Sequence, residues 1–66
     1  MDHQAKLNEM THCTYVVQNS SSEFERLNAR TRLNYLLADF KRQGIKVEWI
    51  PGGMTIQKSR WKIITP

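Results

Sequence analysis

The sequence predicts an α+β domain of β-α-β-β order, with one long helix packed on a small antiparallel sheet of three to four strands. Three observations predict it. Residues 22–44, SEFERLNARTRLNYLLADFKRQG, run from a serine-rich start to a glycine with no proline or internal glycine to break a helix. Residues 11–18 ahead of it are rich in β-branched and aromatic side chains, as strands are. Beyond Gly44 the apolar residues change from helical spacing to alternation.

The first strand is read over 11–18, where Cys13, Tyr15 and Val17 share one face. Residues 1–10 show no clear period and read as a mobile tail or a short helical turn, which leaves 11–66 as a single small domain.

The helix is marked at both ends. Ser20, Ser21 and Ser22 offer oxygens to its first amides, and both Ser20 with Glu23 and Ser22 with Glu25 fit a capping box. Lys41 and Arg42 stand where cations oppose the helix dipole, and Gly44 supplies a left-handed stop. At about 100° per residue, Ala29, Leu33, Leu36, Leu37 and Phe40 form one core-facing stripe. Phe24, Leu27, Thr31, Tyr35 and Ala38 form a second stripe on the opposite side, with charged residues between the two. A surface helix needs only one. The second is either covered by the N-terminal segment, split off by a kink near Asn28, or met by a second copy or another protein. A break at Asn28 gives a winged-helix or helix-turn-helix alternative, with the hairpin as wing and the later half as recognition helix.

After the helix, Ile45, Val47 and Trp49 alternate with Lys46 and Glu48 as in a strand with one buried face. Ile50-Pro51-Gly52-Gly53 is a turn sequence, because proline pre-sets one angle and glycine accepts the positive φ of the next. Met54 and Ile56 fall on even positions while Trp61 and Ile63 fall on odd ones. A bulge or second tight turn near Lys58-Ser59-Arg60 is therefore expected, and a turn there makes a three-stranded meander.

A chain of 66 residues makes one domain, and one of this size buries only about 60% of its unfolded surface. Dimerisation is a common remedy for so small a core, so a homodimer is expected. Cys13 is the lone cysteine, which excludes an intramolecular disulfide framework and fits a reducing interior. No apolar run approaches the roughly 20 residues that cross a bilayer, and MDHQAKLNEM does not resemble a signal peptide. The expectation is a soluble cytoplasmic protein without a membrane partner.

Enzymatic chemistry finds little support. His12 and Cys13 are neighbours that a strand points to opposite faces, so they make neither a nucleophile–base pair nor a metal site. The acidic residues stand in no recognisable catalytic motif, and Pro51-Gly52-Gly53 lacks the phosphate-loop pattern. A non-enzymatic protein with no cofactor and no metal is expected.

Charge is more informative. The net charge is +4, yet residues 1–25 set Lys6 against Asp2, Glu9, Glu23 and Glu25, while all other Lys and Arg lie in 26–66 with only Asp39 and Glu48. Lys41, Arg42, Lys46, Lys58, Arg60, Trp61 and Lys62 therefore suggest a nucleic-acid-binding hairpin for DNA or RNA, with cations for phosphates and an aromatic ring for stacking. The plainer reading is a solvated basic face with Trp61 in the core. The other function class is a protein-binding module or inhibitor that docks on a nucleic-acid-handling partner. Its interface would be Phe24, Leu27, Thr31, Tyr35 and Ala38, because aromatics beside arginines make typical anchors. Small non-catalytic domains are frequent among phage, viral and mobile-element regulators, a prior that rests on size alone.

Overall fold

The computed structural model describes residues 2–52 and 59–64. It has two helices followed by two strands: α1 (His3–Asn19), α2 (Glu23–Arg42), β1 (Val47–Ile50) and β2 (Arg60–Ile63). The expected single helix on three to four strands is thus corrected to a helical hairpin over a two-stranded antiparallel sheet, still α+β. Residues 54, 56 and 58, on which the extra strand and the second turn depended, lie outside the described residues.

The largest correction is at the N-terminus. Residues 3–19, read as a tail plus a strand, form α1. Asp2 caps it by accepting from the Ala5 amide at 2.7 Å. β-propensity reflects fit to a half-buried pleated surface and yields to context. Here Leu7, Met10 and Thr14 recur at helical spacing and are all buried, Met10 completely. Thr11 and Thr14, which favour strands, send their hydroxyls back to the Leu7 and Met10 carbonyls at 2.9 Å.

α2 follows its end signals closely. Ser22 is the N-cap and accepts from the Glu25 amide at 3.3 Å. Its own amide donates to Ser20 Oγ, which in turn donates to the Glu25 carboxylate at 2.9 Å. At the far end Gly44 adopts φ +74°. The Gly44 amide bonds the Lys41 carbonyl and the Ile45 amide bonds the Phe40 carbonyl, both at 3.0 Å, closing the last turn in a Schellman arrangement. The helix passes Asn28 without a break, which removes the basis of the winged-helix alternative.

The short Ser20–Ser22 connection makes the helices antiparallel neighbours, so Lys6 meets Asp39 and Glu9 meets Arg32. Leu7 and Met10 of α1 close on Leu36 and Phe40 of α2. Leu33, Leu37, Ile45, Val47, Trp61 and Ile63 pack around that cluster. Of the stripe predicted to face the core, Leu33, Leu36, Leu37 and Phe40 do so, and Ala29 is half-buried outside that cluster.

In the sheet Val47 pairs with Ile63, Glu48 with Lys62, Trp49 with Trp61 and Ile50 with Arg60. Opposite residues share a face, so Val47, Trp49, Trp61 and Ile63 line one side, and Trp49 and Trp61 meet at 5.8 Å between ring centroids. Trp61 also fixes the hairpin to α1. Its amide donates to Thr11 Oγ1 at 3.1 Å and its indole nitrogen to Thr14 Oγ1 at 2.7 Å. The first of these occupies a β2 backbone donor that an open sheet edge would leave unpaired.

Candidate functional site

α2 brings one set of predicted residues onto a single open surface. Phe24, Leu27 and Tyr35 are 73%, 61% and 59% exposed, and Thr31 between them and Ala38 one turn beyond are exposed as well. Neither of the intramolecular alternatives accounts for this stripe: α1 packs on the far side of α2, and α2 is unbroken. Burying three large apolar side chains gains roughly 1.5–3 kcal/mol each, a gain the isolated chain forgoes.

Tyr35 is held in place as well as exposed. Glu9 of α1 takes a two-pronged contact from Arg32, Nε at 2.8 Å and Nη2 at 3.1 Å. The same guanidinium lies over the Tyr35 ring, 5.4 Å from its centroid. The pairing with Arg32 holds the Glu9 carboxyl below its ordinary range and pushes the arginine up from its own. A ring fixed in this way loses less side-chain entropy on meeting a partner. Toward the start of α2, Val17 and Leu27 line an open groove with Glu23, Arg26 and Arg30 around them. Arg26 braces the helix connection by donating to the Ser20 carbonyl at 2.7 Å.

The predicted basic set is only partly gathered. Lys46, Arg60 and Lys62 are exposed and lie on the outer face of the hairpin, with Glu48 directly opposite Lys62. Lys41 and Arg42 are exposed in the last turn of α2, and Arg42 is engaged with Asp39 at 3.0 Å. Trp61 belongs to the opposite, core-facing side, with its indole nitrogen bonded to Thr14. Lys58 lies outside the described residues.

Asp39 is the most strongly perturbed group, held down to about 2 chiefly by its contact with Lys6 and then by Arg42. It ties the ends of the two helices together. Gln43 Nε2 adds a third contact at 3.1 Å. Cys13 is a buried thiol, and burial, with Glu9 nearby, pushes its pKa up, so it is a poor nucleophile. His12 is exposed on α1 while Cys13 faces inward. Among the described residues no three His, Cys, Asp or Glu side chains group closely enough to hold a metal ion, and no helix is long and apolar enough to cross a membrane.

No family model matches the chain, nor does any curated protein or solved structure.

Periodicity alone gives the second stripe, but its exposure is decided by the packing of α1 on the other side of α2. What sequence reasoning missed is the Glu9–Arg32–Tyr35 chain, because it joins residues from two helices and one of them was read as tail. The usable signal was Leu7, Met10 and Thr14 at three- and four-residue steps.

Proposed function

We propose that this protein is a non-enzymatic protein-binding module whose docking surface is the outer face of α2. One observation carries the reading: Phe24, Leu27 and Tyr35 stand on one face of a well-capped helix, each more than half exposed. Contiguous apolar surface of this kind on a small domain marks an interaction site more often than a stray exposed residue does. Aromatic anchors beside arginines are typical interface centres.

A second reading, nucleic-acid binding through the hairpin, is favoured by Lys46, Arg60 and Lys62 sharing one face. It is the weaker of the two, because Trp61 turns its ring to the core and Glu48 sits among the cations. One binding series separates them. Association through α2 is expected to survive added salt and to be lost on Phe24→Asp. Binding of a DNA or RNA oligonucleotide that falls steeply with salt and weakens on Lys62→Ala, with Phe24→Asp harmless, would favour the hairpin instead.

A further inference from the structure

We infer that the surface docked by the outer face of α2 is the same face of a second copy of this chain, laid antiparallel with Thr31 at the two-fold axis. The inference rests on the docking reading above and names its partner. Its first ground is that the face is complementary to its own reversal. Turning α2 end for end about Thr31 sets Phe24 against Ala38 of the second copy and Leu27 against Tyr35, with Thr31 on itself. Each end thus places a large ring beside a small side chain, as interdigitating helices require. Phe24, Thr31 and Ala38 also recur every seven residues, the repeat that keeps a seam facing a partner helix.

Charge supplies the second ground. The first turn of α2 carries Glu23 and Glu25 and the last turn carries Lys41 and Arg42. An antiparallel pair sets acidic start against basic end at both extremities and also opposes the helix dipoles; a parallel pair sets like against like. Glu23 and Lys41 lie on the same flank, since eighteen residues complete five turns at about 3.6 residues each. In the proposed register Glu23 falls two residues from the level of Lys41 in the second copy, roughly 3 Å along the axis, well within reach of a lysine. Arg30 and Arg32 are exceptions, because each approaches its own copy near the axis, and on the flank of Arg32 Glu25 falls two residues from the level of Asp39; within each copy Glu9 already pairs with Arg32, and Lys6 and Arg42 with Asp39.

Shape is the third ground. Among the described residues α1 and the hairpin pack on the Leu36 and Phe40 side of α2, and the side of Phe24, Leu27 and Tyr35 stays exposed. A second copy supplies the missing layer, and an isologous contact closes at two subunits without leaving apolar surface for growth into fibres.

Sedimentation equilibrium of the full chain, up to about 1 mM so that even weak pairing registers, tests the inference. The expected result is a dimer that Phe24→Asp weakens on the order of 100-fold, because the variant places a charge among the apolar contacts at both ends of the seam, with unchanged helical circular dichroism. Glu23→Lys and Lys41→Glu should each weaken it about 3- to 10-fold, in line with exposed ion pairs lost at both ends, and the double variant should recover. Singles that weaken the dimer without recovery in the double overturn the antiparallel register. A chain that stays monomeric overturns self-pairing alone, and the docking reading then stands or falls on the salt and Phe24→Asp series. A dimer that persists in both Phe24→Asp and Tyr35→Asp overturns self-pairing on this face and the docking reading together.

Discussion

The two faces of α2 carry similar side chains and meet opposite fates. One presents Leu36 and Phe40, which α1 and the hairpin bury almost completely; the other presents Phe24, Leu27 and Tyr35, which nothing among the described residues covers. Composition does not distinguish the faces, since each combines a phenylalanine with leucine. Their neighbours do. α1 reaches only one side because the Ser20–Ser22 connection is short, and the hairpin follows it there because Gly44 turns the chain directly beneath Phe40. The buried face therefore stabilises the fold, and the open face stays in solvent.

The sharpest way to break this contrast is to truncate one ring on each face. Phe40→Ala is expected to cost about 3–5 kcal/mol, because a fully buried ring leaves a cavity. That is comparable to the whole stability of a domain this small, so thermal melts should show a largely unfolded chain at 25 °C. Phe24→Ala should change the stability of the isolated subunit by no more than about 0.5 kcal/mol, measured at concentrations too low for association. A comparable loss from both variants would mean that the outer face also supports the fold.

A smaller effect is expected where the cover over the core face is pinned. Thr14→Val keeps the shape but removes the acceptor for the Trp61 indole, and should cost about 1–3 kcal/mol in urea unfolding. Tryptophan emission, read in a Trp49→Phe background so that Trp61 alone reports, should shift toward that of a wetter ring. No change in either measurement would mean that packing alone seats the hairpin.

The smallest effect is at the helix ends, where Lys6 and Arg42 hold Asp39. A carboxyl whose pKa is depressed by folding contributes stability that is present above its ordinary value, near 4, and is lost as pH falls through about 2. Acid unfolding should steepen across that window. Asp39→Asn should flatten part of it and leave the remainder to Glu9, which Arg32 depresses in the same direction. An unchanged acid profile in Asp39→Asn would show that this contact adds nothing to the join between the helices.

Much of α2 was legible from residues 20–44 because its signals are local. Ser22 caps it, Gly44 takes the positive φ that ends it, and its core stripe repeats within the helix itself. The alternation of Val47 and Trp49, and of Trp61 and Ile63, likewise announced two strands and the faces they bury. α1 was not legible in the same way. Thr11–Gln18 favours a strand residue by residue, and becomes helical because Leu7, Met10 and Thr14 are needed on one face against Leu36, Phe40 and Trp61.

The candidate site divides along the same line. The sequence by itself determined that α2 carries two apolar stripes, that the cations concentrate after residue 25, and that no metal or nucleophile constellation is spelled out in its motifs. Only the tertiary structure decided which stripe is covered, that Trp61 turns inward, and that Arg32 holds Tyr35 from a base on Glu9. The physical reason is range. Caps and periodicity act over one or two helical turns, whereas burial is set by which segments pack together, and here that depended on contacts between residues about 20 to 50 positions apart.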